Sequence, residues 1–202
     1  PGEKETWFFL PVVICVLIMQ IALILTGITS VREREKHTLE QLLVTPISKS
    51  SFIIGKLLPY VFIALIDFYF ILGVGWALFD LPQPSSHVLL FLLAFVYVAV
   101  MISLGLFISL VSQTQQQAMF IAIFIIVPSI LLSGFIFPIE AMPSYIQPVA
   151  YIISFTYFVE IIRGILLKGN QFVELIPQFL ALSAFAVLFI SFSIFRFRKT
   201  LS

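Results

Sequence analysis

Residues 7–46 read WFFLPVVICVLIMQIALILTGITSVREREKHTLEQLLVTP, and the change of character near residue 30 decides the class of fold. From Trp7 to Ile28 the chain is apolar, interrupted only by Pro11, Gln20, Thr26 and Gly27. About 20 apolar residues in a helix match the hydrocarbon core of a bilayer, roughly 30 Å thick. The run is too long for a signal-peptide core, and Glu3-Lys4-Glu5 ahead of it is not the basic flank such a peptide carries. It reads as a true span. Val31 to Pro46 then reads as one amphipathic helix, closed where Thr45 precedes Pro46 and is biased out of the helical region. Val31, Glu35, Leu39, Leu42 and Pro46 fall near one face, while Arg32, Glu33, Lys36 and Glu40 project elsewhere. An amphipathic helix between two spans lies in the membrane interface.

Composition agrees with that reading. Of 202 residues, 61% are hydrophobic and 10% charged, and the mean hydropathy is +1.15. Ordinary globular chains are about 45–50% apolar and about 25% charged. A chain of this size has too little interior to hide the excess. A soluble enzyme, a disordered tail and a nucleic-acid binder are excluded. The formal charge of +1, from 11 basic and 10 acidic residues, offers no polycation for a phosphate backbone. Cys15, the single cysteine, sits in an apolar run and reads as a buried thiol.

Further runs extend the pattern to an all-α integral membrane protein with five spans, at about 7–28, 52–79, 88–111, 118–137 and 172–195. Pro128 lies inside the fourth as an expected kink. Between the last two, Pro138, Pro143 and Pro148 cut up the segment 138–168. Its apolar stretch 149–159 is too short to cross and suits an outer re-entrant helical hairpin. Basic residues set the orientation. With the N-terminus outside, Arg32, Arg34, Lys36, Lys49, Lys56, Arg196, Arg198 and Lys199 face the cytoplasm, against Lys4, Arg163 and Lys168 outside. This satisfies the positive-inside rule and puts Trp7 and Trp76 at the outer interface.

Catalytic patterns are missing from the sequence. His37 and His87 fall on opposite sides of the membrane, so one chain builds no metal site from them. Gly55-Lys56 resembles the end of a phosphate-binding loop, but Ser50 stands where its first glycine is required and Leu57 where Ser or Thr belongs. Energy for any work therefore comes from elsewhere. The polar helix 31–45 has two readings: a surface helix that spaces two spans, or a docking helix for a soluble partner. Its balance of acids and bases fits the second, because a lipid-binding helix is dominated by Lys and Arg.

At this point the residues resemble a family. The stretch from Val31 to Pro46, Gly55-Lys56-Leu57-Leu58-Pro59-Tyr60, Thr114 to Ala118, Pro128 to Pro138 and Tyr157 to Gly164 form five ordered blocks similar to those of ABC type 2 exporter permeases. The resemblance implies a permease without its own ATPase site and with no cofactor bound by this chain. ATP and magnesium would sit on cytoplasmic ATP-binding subunits. Those subunits would dock on a coupling helix carrying Arg32, Glu33, Arg34, Glu35, Lys36, Thr38 and Glu40. A second permease subunit, identical or different, would complete a dimer in the bilayer of the cell (inner) membrane. Alternating access would move a hydrophobic or amphipathic substrate outward, and the hairpin 138–168 would close the outer end of the path through Glu140, Glu160 and Arg163. The start at Pro1-Gly2, just outside a span, resembles a drug-exporting branch whose members have an earlier span and a large extracellular domain. Both are expected to be missing from this chain.

Single residues carry paired readings. Asp67, in mid-span, is either part of the substrate path or an interhelical hydrogen-bonding group in a helix seam. Glu160 and Arg163, three apart, either hold the outer gate or form a local pair. Gly73, Gly75, Gly105 and Gly134 read as close helix packing. Two other functions stay open: a membrane anchor that recruits a soluble partner, and an intramembrane enzyme, for which Asp67 is the one catalytic group in a span core.

Overall fold

In the computed structural model, residues 2–35, 49–136 and 138–200 are described. Seven α-helices follow in order among them: α1 (Gly2–Glu35), α2 (Lys49–Phe79), α3 (His87–Val111), α4 (Gln115–Leu132), α5 (Gln147–Ile152), α6 (Ser154–Arg163) and α7 (Ile176–Thr200). Short 3-10 turns at Ile139–Ala141 and Phe172–Leu175 and a π-turn at Gly164–Lys168 join them. Among the described residues there is no strand. Five segments are long and apolar enough to cross a membrane: Phe9–Glu33, Leu57–Phe79, His87–Val111, Gln115–Leu132 and Phe172–Ser193. The protein is an all-α, multi-pass membrane protein.

The bundle is built around α1 and α3. In α1 the buried residues Val12, Ile14, Cys15, Ile18, Met19, Ala22 and Leu23 recur at three- and four-residue spacing, so one side of the helix is turned inward. Half of the α1 span and 61% of the α3 span are buried, against 22% for α2 and α4 and 11% for α7. The last three therefore form the periphery. Their outer faces carry Phe62, Ile66 and Phe70 on α2, Phe120 and Phe124 on α4, and Val187 and Leu188 on α7. In water such surfaces would drive aggregation, whereas lipid covers them without cost.

The two central helices meet backbone to backbone. A Cβ placed on Gly105 would lie 2.7 Å from the Leu23 carbonyl oxygen, 3.0 Å from Thr26 Cβ and 3.3 Å from the Gly27 nitrogen. Only a residue without a side chain allows that approach. Gly75 packs against Leu10 and Leu81 in ordinary contact. The packing expectation is corrected at two positions. Gly73 has nothing within 4 Å of its would-be Cβ, and Gly134 serves a turn, with a φ of +80° that side-chain-bearing residues rarely adopt.

That turn also changes the fourth span. It was expected to run to residue 137, but Ser133 and Gly134 end α4 after Leu132. Around the internal Pro128, Ser129 Oγ donates to the Ile125 carbonyl at 2.7 Å. At the other end of the chain's polar stretch, the expected new helix at residue 31 is instead the last turn and a half of α1, which continues unbroken through Glu35. No Pro or Gly falls between residues 28 and 35, and a change from apolar to charged side chains leaves the hydrogen-bond ladder intact. The remainder of the expected coupling helix, residues 36–45, lies outside the described residues.

The segment after Gly134 forms only short helices. α6, at 10 residues, rises about 15 Å, half of what crossing requires. It is amphipathic, with Phe155, Phe158, Val159, Ile161 and Ile162 buried, and it packs against α1, α3, α4 and α7. The Phe158 ring stacks on Tyr97 of α3 with centroids 3.9 Å apart and planes 7° from parallel. α6 is thus a short plug seated in the bundle.

Candidate functional site

Charge is scarce, so its placement is informative. At the end of α1, Arg32 and Glu35 are exposed and Glu33 is half-buried. Thr29, one turn earlier, hydrogen-bonds the Tyr60 phenol of α2, which lies within electrostatic reach of Glu33. Side chains of Arg34, Lys36, Thr38 and Glu40 lie outside the described residues. Of the seven expected docking side chains, three are therefore placed, and they share one end of the bundle with the start of α4.

Glu35 reaches across to that start. Its carboxylate accepts the backbone N–H of Gln115 at 3.0 Å and also the Gln115 side-chain amide. The first N–H groups of a helix have no partner within the helix and carry the positive end of its dipole, so a carboxylate is well matched there. Neighbouring donors are satisfied locally: Thr114 Oγ1 accepts from the Gln117 N–H at 3.2 Å, and Gln117 Oε1 accepts from the Gln113 N–H at 2.8 Å. The Gln115 amide, then its backbone N–H, hold the Glu35 carboxyl below the ordinary carboxylate range.

Asp67 sits between the exposed Ile66 and the fully buried Phe68, and is itself half-buried. Phe68 turns into the core, edge-on to Tyr69 at 5.2 Å and tilted on Phe158 at 6.4 Å. A step of 100° per residue therefore leaves Asp67 on the seam between the core face and the lipid face of α2.

The three expected gate residues are spread over two elements. Glu140 is exposed on the 3-10 turn Ile139–Ala141. On α6, Glu160 is exposed and accepts a hydrogen bond from Gln178 Nε2 of α7 at 3.1 Å, while Arg163 is half-buried in the last turn. Sequence reasoning missed Gln178, Tyr97 and the Glu35–Gln115 contact. Each pairs residues far apart in the chain, and nothing local signals them. Around the hairpin, Ser85 Oγ donates to the Asn170 carbonyl at 3.2 Å, and Trp76 lies edge-on to His87 at 5.7 Å. Among the described residues, no three His, Cys, Asp or Glu side chains gather as metal ligands.

Comparison with known proteins matches the sequence to one family. The ABC-2 type transporter model matches residues 3–167. The probable multidrug ABC transporter permease YbhS of Escherichia coli (strain K12) is 33% identical over 202 residues, 100% of this chain and 54% of that protein. The probable multidrug ABC transporter permease YbhR of the same strain is 35% identical over 169 residues, covering 83% of this chain and 46% of the relative. ABC transporter G family member 20 of Dictyostelium discoideum is 26% identical over 169 residues, 84% of this chain and 23% of that protein. The chain spans about half the length of the bacterial relatives it matches. A bundle of five apolar spans, a short helix plugged among them and a family match over most of its length lead to one conclusion: the chain belongs to the ABC-2 type transporter family.

Proposed function

We propose that this chain is the membrane-embedded part of an exporter permease that moves a hydrophobic or amphipathic compound out of the cell. The observation that carries the reading is the family match across residues 3–167, joined by relatives named as multidrug ABC transporter permeases. Separate cytoplasmic subunits bind and hydrolyse ATP with magnesium, and they dock where Arg32, Glu33, Arg34 and Glu35 end α1. A second permease half, identical or different, pairs with this one. The N-terminal side of the chain faces outward and the end of α7, with Arg196, Arg198 and Lys199, faces the cytoplasm, in keeping with the distribution of basic residues.

In this mechanism closure of the ATPase pair displaces the charged end of α1, the bundle rocks, and the outer helices α5 and α6 open or close the outward path. Asp67, on the seam of α2, contributes a polar point along an otherwise apolar route or interface. The test is purification of the full-length permease in detergent. An ATP-binding subunit is expected to co-purify, and Glu33→Lys with Arg34→Glu is expected to weaken that association. Absence of any ATPase partner, together with unchanged transport in the reversed variants, refutes the assignment.

A further inference from the structure

We propose that the contact between Glu35 and Gln115 is a joint that carries movement from the charged end of α1 into α4, and through α4 to the outer helices α5 and α6. The proposal rests on the permease reading above and makes Glu35 and Gln115 positioning residues for transport.

Three observations support it. First, α1 and α4 pack side by side along an apolar interface. Apolar contact is non-directional, so it fixes the relative setting of two helix ends less sharply than a directed polar contact does. A carboxylate that accepts two donors from one residue is directional, and one of those donors is the backbone N–H at the first position of α4. A backbone group cannot swing aside as a side chain does. Moving Glu35 while the contact holds therefore moves the start of α4.

Second, the contact occupies the last described residue of α1, within the stretch proposed to meet the ATPase subunits. Displacement delivered there reaches Glu35 first.

Third, α1 also meets the chain just past the other end of α4. Phe9 of α1 lies edge-on to Phe135, just beyond the Ser133–Gly134 turn that closes α4, with centroids 5.9 Å apart and planes at 80°. From that turn the chain enters the 3-10 turn at Ile139 and then α5 and α6, and α6 packs against both α1 and α4. α4 is tied to α1 at its start, the turn that follows it contacts α1 through Phe135, and it touches the plug helix, so it is positioned to transmit a load from one side of the membrane to the other. Thr114 and Gln117 satisfy two neighbouring donors at its start, and Glu35 supplies a cross-helix connection there.

The experiment uses the full-length permease with its ATP-binding subunits, reconstituted in vesicles. Gln115→Ala removes the side-chain donor, Gln115→Glu sets two carboxylates against each other, and the exchange Glu35→Gln with Gln115→Glu restores a donor and an acceptor. Transport per ATP hydrolysed is expected to fall about two- to threefold in Gln115→Ala and roughly three- to tenfold in Gln115→Glu, the range by which residues outside a binding site alter coupling. At least half of that loss is expected to return in the exchanged pair. Hydrogen exchange gives a second readout: the nucleotide-dependent change in protection at residues 147–163 is expected to shrink in Gln115→Glu and to recover in the exchange.

A ratio within twofold of the parent in Gln115→Glu, with the protection change intact, overturns the joint. So does failure of the exchanged pair to recover, because a general packing defect predicts that result. Loss of the ATP-binding subunits from Gln115→Glu alone overturns it too, by making Gln115 a docking residue. If the parent permease itself retains no ATP-binding subunit, the permease reading fails first and the joint falls with it.

Discussion

Gly105→Ala tests the central crossing of the fold. The added Cβ meets a backbone oxygen at 2.7 Å, a Thr26 carbon at 3.0 Å and a backbone nitrogen at 3.3 Å. Two of the three obstacles are main chain, so rotamer changes cannot relieve them and the helices must separate. Overpacking of this kind costs about 1–3 kcal/mol, and the main-chain obstacles place this case in the upper half of that range. Replacing Gly by Ala inside a helix returns up to about 1 kcal/mol through backbone entropy. Gly73→Ala in α2 collects the same return with nothing within 4 Å of the new methyl, so the gap between the two variants isolates the crossing. That gap is expected to be about 2–3 kcal/mol, or roughly 4–12 °C in melting midpoint for a chain of this size. Thermal unfolding in detergent, followed by size-exclusion recovery, measures it. Thr26→Ala in the Gly105→Ala background is expected to recover little, because alanine keeps the Cβ at position 26 and both main-chain obstacles remain. A Gly105→Ala protein that melts with or above Gly73→Ala refutes the backbone contact.

Other predictions concern the plug helix and the charged end. Tyr97 is fully buried and its hydroxyl has no hydrogen-bond partner among the described residues, so Tyr97→Phe is expected to leave the melting midpoint unchanged or raise it. Phe158→Ala, which empties the ring stacked on Tyr97, is expected to cost about 3–5 kcal/mol in the same melt. The Glu35 contact should be pH-dependent in a definite direction. Its carboxyl is held below the ordinary value of 4.5 by Gln115, so the contact is fully present above that value and is lost as pH falls through the lowered one. Amide exchange at Gln115, extrapolated to a common intrinsic rate, is expected to accelerate only on that acid side, and Glu35→Gln is expected to abolish the dependence.

Much of the architecture is legible in the residues because lipid imposes a simple rule. Runs such as 88–111 are apolar for the length of a bilayer and fold as helices of nearly that length. What escapes the eye is where helices stop. Polarity shifts at residue 31 without a backbone break, while the break at Ser133–Gly134 falls within an apolar stretch. Hydropathy reports environment, whereas helix ends depend on main-chain conformation, and the two need not coincide. The broken character of residues 138–168 is legible in the prolines, but the seating of the short helix against Tyr97 through Phe158 is not. Candidate side chains show the same division. Asp67, Glu160 and Arg163 stood out as charges among apolar neighbours. Gln115 and Gln178 looked like ordinary polar residues, and their partners lie 80 and 18 positions away.

The crossing at Gly27 and Gly105 has a mechanical corollary. Glu35 lies eight positions after Gly27 and Pro11 sixteen before it, arms of about 12 Å and 24 Å at the helical rise. If α1 tilts as a rigid rod about the point where its backbone is pressed to α3, the long arm sweeps twice the distance of the short one. A nudge of 1.5 Å at the charged end then becomes about 3 Å beside the opposite ends of the bundle, with force halved in the same proportion. The pivot in that case would be two residues without side chains, and its position along α1 would set the ratio of the two arms.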